Sequence, residues 1–337
     1  MATVVQTDIV NEQRPAVRGL ATSADRKWPL VVGIVVTIGL VALSLFVGVY
    51  DIAGHDDGWN MFFITRVPRT TALVLAGAAM SIAGLVMQLM TQNRFVEPTT
   101  VGTTEWAGLG LLLTMIAFPS APIVVRMIGA ILFAFVGTIV FFMFLRRVTL
   151  KSSLIVPIVG IMLGAVVGAF STFIALQTDM LQNIGIWFAG SFTTVVRGRY
   201  ELLWIVFILL IVVFFIADRF TVVGLGKDVA TNVGLNYNAV IFTGITIVAA
   251  VTGVVTVVIG SLPFLGLIVP NMVSLFRGDN LRSNLAWVCI VGICIVTLCD
   301  MVGRTIVMPL EVPVSLILGV LGAVVFVFLL VRQRRNG

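Results

Sequence analysis

Ten apolar stretches recur along this 337-residue sequence, each of about the length that crosses a lipid bilayer as a helix. Hydrophobic residues make up 59% of the chain and charged residues only 11%, whereas soluble domains carry roughly 25% charged residues. No single soluble core hides so much apolar surface, so lipid must cover the excess. The stretches lie near 29–50, 61–90, 102–118, 124–145, 154–176, 202–218, 239–260, 263–276, 284–303 and 312–331. We predict an all-α integral membrane protein of about ten transmembrane helices.

The chain divides into three predicted sections. Residues 1–28 form a polar cytoplasmic segment, residues 29–331 the transmembrane domain and residues 332–337 a cytoplasmic tail. The first apolar run has no small-residue cleavage site, so we interpret it as an uncleaved helix. The eighth run is short and contains Pro263 and Pro270. Such a broken segment is stable in lipid only where neighbours or a cavity satisfy its backbone groups.

The distribution of basic residues predicts the orientation. Of the 21 Lys and Arg residues, six fall on one side of the predicted spans, which leaves 15 for the other. The positive-inside rule then places both termini in the cytoplasm. The thin spread of the basic residues between apolar runs excludes a nucleic-acid patch, and we predict a multi-pass membrane protein. The six outside residues are Arg66, Arg69, Arg126, Arg197, Arg199 and Arg304.

Few residues are suited to metal binding or catalysis. The chain has one histidine, His55, and three cysteines at intervals of five, Cys289, Cys294 and Cys299. Five residues turn a helix by about 140°, so the cysteines do not share a face, and no zinc or redox motif is present. There is no HExxH pair and no nucleophile elbow. We expect neither an enzyme nor a resident metal or cofactor.

Charged residues near the ends of the predicted spans allow more than one interpretation. Arg66 and Arg69 either snorkel to lipid headgroups or form an outward-facing cluster that grips carboxylates of an acidic partner. Asp300 lies four residues before Arg304, a spacing that favours a structural ion pair within one helix. Glu105, near the start of the third span, either faces a pathway or caps a neighbouring broken helix. Glu97, Asp218, Glu201 and Glu311 lie at or near the span margins.

The polar loop GLGKDVATNVGLNYN (224–238) is longer than a connector requires. We predict a short helix around residues 228–233, which a membrane protein would press against a soluble domain; the alternative is an ordinary connector. The loop is no phosphate cradle, because Lys227 is followed by Asp228 and residue 221 is Thr rather than Gly. Any ATP hydrolysis must therefore come from a partner.

Several motifs, in order and at regular spacing, resemble FecCD-type ABC importer permeases. They cover nearly the whole chain after residue 30. They are RVPRTTALVLAGAAMSIAGLVMQ (66–88), NRFVEPTTVG (93–102), WFAGSF (187–192), GKDVATNVGL (226–235), LPFLGLIVPNMVSLFRGDN (262–280), CDMVGRT (299–305) and EVPVSLILGVLGAVVFVFLL (311–330).

The resemblance implies a type II ABC importer permease fold, a location in a bacterial inner membrane and a set of partners. These are a second FecCD-type permease, identical or paralogous, two cytoplasmic ABC ATPases that use ATP-Mg, and an extracytoplasmic siderophore-binding protein. It implies docking of the binding protein at Arg66, Arg69 and Arg304. The fifth and tenth spans would line the pathway between two permeases. The implied ATPase-coupling residues are Lys227, Asp228, Ala230, Asn232, Gly234 and Leu235, and the implied cytoplasmic gate is Asn93, Phe95, Ser152 and Ser153.

The resemblance also suggests a class of substrate. Arg94 follows Asn93 where the cobalamin branch commonly has Pro, and Glu105 and Trp106 occupy positions where other branches have small polar residues. These features and the RGRYELL stretch look more like permeases for catechol-containing siderophores, and Glu105 and Trp106 are candidate pathway residues. The alternative function, an ion-coupled secondary transporter, would use Glu105 and Asp300 and need no ATPase.

Overall fold

A computed structural model describes residues 28–48, 58–147, 154–278 and 281–336, and all regular elements within these ranges are helical. A helix lies at each of the ten predicted apolar stretches. Within the described ranges, the helices are α1 Trp28–Phe46, α2 Gly58–Thr91, α3 Thr103–Ala117, α4 Ile123–Leu145, α5 Ile155–Gln177, α6 Leu181–Phe188, α7 Trp204–Gly224, α8 Lys227–Asn232, α9 Tyr237–Val258, α10 Leu265–Arg277, α11 Leu281–Thr305 and α12 Val314–Asn336.

Seven of these helices are long and apolar enough to cross a membrane, namely α1, α2, α4, α5, α7, α9 and α11. α3 has 15 residues and α10 has 13, and the apolar part of α12 is also short. The chain is therefore a multi-pass membrane protein. The number of spans and the side on which the termini lie remain predictions.

Helices α2 and α9 form the centre of the bundle. The most apolar window of α2 is 83% buried and that of α9 is 72% buried, against 11% for α1 and 28% for α5. The central part of α2 reads LAGAAMSIAGL, and such small residues allow membrane helices to approach closely. Helix α2 is therefore the helix around which α7, α9, α10 and α11 pack.

The broken segment predicted around Pro263 and Pro270 is the short helix α10. Its first turn packs directly on α2, because Gly84 and Gly266 meet backbone to backbone. A Cβ at Gly84 would lie 2.2 Å from the carbonyl oxygen of Gly266. No residue with a side chain fits at this contact without movement of one helix.

The described residues distinguish two ends of the bundle. We call the end that contains Arg66, Arg69 and Arg304 the arginine end. The other end, where α2 stops and residues 225–236 connect α7 to α9, is the loop end. There Arg146 donates to Asn238 (3.2 Å).

The end of α7 differs from the sequence prediction. The sixth stretch was expected to end at residue 218, yet α7 continues to Gly224. Asp218 does not end the helix, because its carboxylate lies on an exposed turn and pairs with Arg282 of α11 (2.6 Å). Residues 178–200 contain the predicted short helix, Leu181–Phe188, followed by a loop.

Candidate functional site

At the arginine end, one buried carboxylate of α11 accepts hydrogen bonds from two arginines. Arg69 of α2 donates to Asp300 Oδ1 through Nη2 (2.7 Å) and Nε (3.2 Å). Arg304 donates to Asp300 Oδ2 through Nε (2.8 Å) and Nη2. The Asp300 side chain is fully buried. The predicted structural pair between Asp300 and Arg304 is confirmed, and Arg69 joins it.

Arg304 and a third arginine, Arg66, cap the C-terminus of α1. Arg304 Nη1 donates to the carbonyl oxygens of Ser44 (3.1 Å) and Val47 (2.7 Å), and Arg66 Nη1 donates to those of Leu45 (3.2 Å) and Val47 (2.5 Å). The last carbonyl groups of a helix lack partners within it and carry partial negative charge. Two guanidinium groups therefore fasten α1 to α2 and α11.

The cluster reaches the surface at Glu311, which precedes α12. Its carboxylate accepts hydrogen bonds from Arg69 (3.1 Å) and from the Thr193 hydroxyl (2.6 Å), and 25% of its side chain is exposed. Burial by itself would raise the pKa of Glu311. The Thr193 hydrogen bond and the charge of Arg69 outweigh that effect and hold the pKa below its usual value.

The structure thus brings the three predicted docking arginines together. Arg66 is 9% exposed and Arg304 2%, and the side chain of Arg69 is 12% exposed. Snorkelling was wrong for Arg69, because all three of its guanidinium nitrogens donate to internal carboxylates. Sequence spacing could not show this, since Asp300 lies 231 residues away.

At the loop end, the predicted short helix is present as α8. Lys227, Asp228, Asn232 and Gly234 are exposed, whereas Ala230 is fully buried and Leu235 half-buried. Gly234 has φ +80° and its N–H donates to the Thr231 carbonyl (2.9 Å). A buried alanine and a left-handed glycine hold the predicted coupling residues in one compact turn.

Apolar side chains also stand exposed in this loop. Leu225, Val229 and Val233 are 65%, 42% and 66% exposed. Val233 directly follows α8 and lies four residues after Val229, so these two share one face of the helix, whereas Leu225 precedes the helix. We call the three exposed residues the apolar stripe. Beside the helix, a cleft of about 460 Å³ opens between the ends of α2, α4 and α9. The sequence prediction missed this stripe because it read the loop as uniformly polar.

The predicted gate residues Asn93 and Phe95 follow α2, and both are 5% exposed. The Asn93 side-chain oxygen accepts the Phe95 N–H (2.9 Å), which folds the chain into a tight turn. The Phe95 ring packs edge-on against Phe326 of α12, with centroids 5.7 Å apart. The other two predicted gate residues, Ser152 and Ser153, lie outside the described residues.

A neighbouring carboxyl group was missed as a site residue. Glu97 is fully buried, and its Oε1 accepts the N–H of Phe264 (2.7 Å) and the hydroxyl of Thr99. Its presence at a span margin was visible in the sequence, but its partner lies 167 residues away. The capping of a broken helix, considered for Glu105, is therefore performed by Glu97.

Glu105 is in the first turn of α3, and its side chain lies instead between α3 and α5. Its carboxyl group is close to Gly164, since a Cβ there would lie 3.5 Å from Oε2. That oxygen is buried and has no hydrogen-bond partner within the described residues. Trp106 covers Gly137 of α4 and lies 6.4 Å, ring to ring, from Phe133. Their part in a pathway remains a prediction.

Two helices at the side of the bundle present broad apolar faces. α5 exposes large side chains over its length, as does α12. The exposed α5 residues include Ile158, Ile161, Met162, Val166, Phe170 and Phe173, and those of α12 include Leu316, Val320, Val324 and Val327.

Metal ligands are not clustered in the described ranges. The three cysteines are free, and Cys294 is in contact with Thr37 (3.2 Å).

Comparison with known proteins identifies relatives of this architecture. Residues 27–332 match the model of the FecCD transport family. The chain is 58% identical over 307 residues to the petrobactin import system permease protein FatD of Bacillus anthracis, covering 91% of this chain and 92% of that one. It is 40% identical to the petrobactin import system permease protein YclN of Bacillus subtilis, covering 89% and 97%.

Among solved structures, the chain superposes on a metal-chelate type ABC transporter in an inward-facing conformation. The TM-score is 0.77, with 90% of this chain and 99% of that one covered. At 22% identity, this similarity concerns the fold.

Proposed function

This chain belongs to the FecCD transport family, and on that premise we propose that it carries a ferric siderophore of the catechol-containing class into the cytoplasm. It does so as the membrane-spanning permease of an ATP-binding-cassette importer. It is not itself an enzyme; ATP-Mg is used by two partner ATPase subunits at its cytoplasmic face. The cargo arrives from an extracytoplasmic binding protein.

The observation that carries this proposal is the close relationship to import permeases. The two relatives described above are named for petrobactin import and match nearly their whole length. Shared descent at 58% identity favours an ATP-driven permease over the alternative of an ion-coupled transporter. Catechol-containing siderophores, the class suggested by the motif resemblance, are the substrates we propose.

The loop end is suited to an ATPase partner. The stripe formed by Leu225, Val229 and Val233 leaves apolar surface exposed among polar residues. Exposed apolar patches with polar surroundings are typical of protein–protein contacts. We therefore assign α8 and the following turn, Lys227 to Leu235, as the ATPase-coupling element of the importer.

The arginine end is suited to an acidic partner. Three guanidinium groups converge there, and within the described residues two carboxylates, Asp300 and Glu311, lie against them. Docking at Arg66, Arg69 and Arg304 would bring a carboxylate of a binding protein to this preorganised cluster.

The apolar faces of α5 and α12 support a second permease. Only 28% of the α5 window is buried in the single chain. Two such faces, placed against each other across a central space, would line a wide pathway with few fixed charges. Weak and distributed contacts suit the passage of a bulky anionic complex.

Reconstituted vesicles test the proposal directly. We expect vesicles that contain the permease, its ATPase and its binding protein to accumulate ⁵⁵Fe-labelled petrobactin only when ATP-Mg is present. Omission of the ATPase should abolish accumulation, and a proton or sodium gradient should not restore it. Accumulation by the permease alone, driven by an ion gradient, would contradict the proposal and favour the secondary transporter.

A further inference from the structure

The segment between α2 and α3 stays inside the protein instead of crossing the surface. Of residues 93–101, which we call the gate segment, most are buried, and Val96 and Glu97 are fully so. The segment is folded on itself, because the Val101 N–H donates to the Glu97 carbonyl (3.3 Å). A fully buried carboxyl group within a membrane protein is costly unless specific partners stabilise it.

The partner of Glu97 is the broken end of α10. The residue before that helix, Phe264, has φ +62°, and its own side chain makes no capping hydrogen bond. The first N–H groups of a helix lack intrahelical partners and carry partial positive charge. Glu97 Oε1 accepts the Phe264 N–H at 2.7 Å, so a carboxyl group from a distant segment supplies the missing cap.

A second contact ties the gate segment further along α10. The Asn271 side-chain amide donates to the carbonyl of Arg94 (2.8 Å). On the opposite side, the Gln88 amide of α2 donates to the carbonyl of Gly266 (3.2 Å). The gate segment is thus held at Phe264 and at Asn271, which lie about two helical turns apart.

We propose that Glu97 is a positioning residue that joins the gate segment to α10, so that both move as one rigid unit when the pathway opens and closes. The inference rests on the proposed function for its transport consequence, but the junction itself does not. Complete burial removes Glu97 from direct contact with cargo within this chain. The unit extends to α12 through the ring contact of Phe95 with Phe326.

Hydrogen exchange of the purified permease tests the junction without any transport assay. Glu97→Gln keeps the size of the side chain but replaces the carboxyl group at the α10 N-terminus by an amide, whose nitrogen can only donate. We expect exchange in peptides that cover residues 262–268 to become about tenfold faster, because the hydrogen bond that accepts the Phe264 N–H is weakened. Peptides from α9 serve as the internal reference. Unchanged exchange at 262–268 would overturn the inference.

Coupling in the full importer separates positioning from simple stability. We expect Glu97→Gln to keep ATP hydrolysis while petrobactin uptake falls about tenfold, and Glu97→Asp to restore part of the uptake. Parallel loss of folded protein, hydrolysis and uptake would overturn the inference in favour of a purely structural role. The matched control is Glu201→Gln, which removes another carboxylate that accepts a backbone N–H, that of Gly198 (2.9 Å), far from the gate.

If Glu97→Gln does not fold, Thr99→Val provides a milder test, since it removes only the hydroxyl donor to the same carboxyl group. We expect a smaller change of exchange and coupling in the same direction, and no change would overturn the inference. Failure of the wild-type importer to take up any siderophore, with faster exchange in Glu97→Gln, would refute the proposed function and leave the junction supported.

Discussion

The two ends of this permease are held together by different kinds of contact. At the arginine end, Asp300 is shared by Arg69 and Arg304, and the cluster is almost completely removed from solvent. At the loop end, Arg282 and Asp218 form an ion pair whose side chains are 71% and 63% exposed. Hydrogen bonds such as those from Arg146 to Asn238 and from the Gly234 N–H to the Thr231 carbonyl are the other described contacts named at this end. Charge therefore stabilises one end, whereas the other depends on the local shape of the chain.

The difference matters because buried and exposed ion pairs respond differently to mutation. Loss of one partner inside a protein leaves the other charge without compensation, whereas an exposed pair contributes little. The arginine end should consequently act as a fixed anchor for α1, α2 and α11. The loop end should tolerate changes of charge but not changes of backbone conformation.

The largest expected effect is that of Asp300→Asn. The variant keeps the size of the side chain and leaves Arg304 without its carboxylate, which should cost roughly 3–5 kcal/mol of stability. We expect a lower melting temperature and a lower yield in detergent. Asp218→Asn, the matched control at the loop end, should cost less than about 1 kcal/mol. Equal melting temperatures for the two variants would remove the contrast between the ends.

A change of backbone conformation should instead affect the loop end and leave the arginine end intact. Gly234→Pro replaces a residue with φ +80° and removes the N–H that bonds to Thr231, and proline is confined to φ near −65°. We expect the affinity for the ATPase to fall about tenfold, or roughly 1.4 kcal/mol, with the melting temperature of the permease preserved. Co-purification measures this loss.

The control for this variant is Gly198→Pro at the arginine end, where φ is +96° and the space around the glycine is likewise open. ATPase binding by Gly198→Pro should equal that of the wild type. Equal loss of ATPase binding in both variants would show that the coupling element lies elsewhere.

The smallest expected effect concerns docking. Charge reversal at Arg69 would place a third carboxylate beside Asp300 and Glu311. A loss of binding in that variant could therefore result either from lost docking or from lost stability. Arg66→Gln leaves Asp300 with both of its arginine partners but removes two hydrogen bonds to the end of α1, so the melting temperature of the variant is measured alongside binding. An exposed ion pair contributes up to about 1 kcal/mol, so we expect about fivefold weaker binding of the binding protein in a pull-down titration. Arg282→Gln changes the net charge equally at the other end and should bind normally.

The helices were predictable because their signal is local. Runs of apolar residues set α4 and α5 almost to the residue, at Ile123–Leu145 and Ile155–Gln177. The π-helical turn Phe62–Arg66 near the start of α2 was not predicted, since its sequence, FFITR, carries no distinctive composition. The end of α7 was misplaced because a charge at a membrane boundary need not end a helix.

The candidate site was only partly predictable. The spacing of four between Asp300 and Arg304 lies within one helix and could be read directly from the sequence. The bond from Glu97 to Phe264 and that from Arg69 to Asp300 join segments far apart in sequence. Their recognition requires the packing of α2 against α10 and α11, which depends on small residues such as Gly84 rather than on the charged residues themselves.

The capping of α1 by Arg304 has a consequence for biogenesis. Val47 and its partner are separated by 257 residues, so at ribosomal rates the nascent α1 waits on the order of tens of seconds for α11 to be synthesised. During that time its exposed carbonyl groups and apolar sides must be sheltered by the insertion machinery or by lipid. Completion of the arginine end is therefore a late event, and truncated chains that stop before α11 should be recognised by quality-control proteases through this unfinished helix.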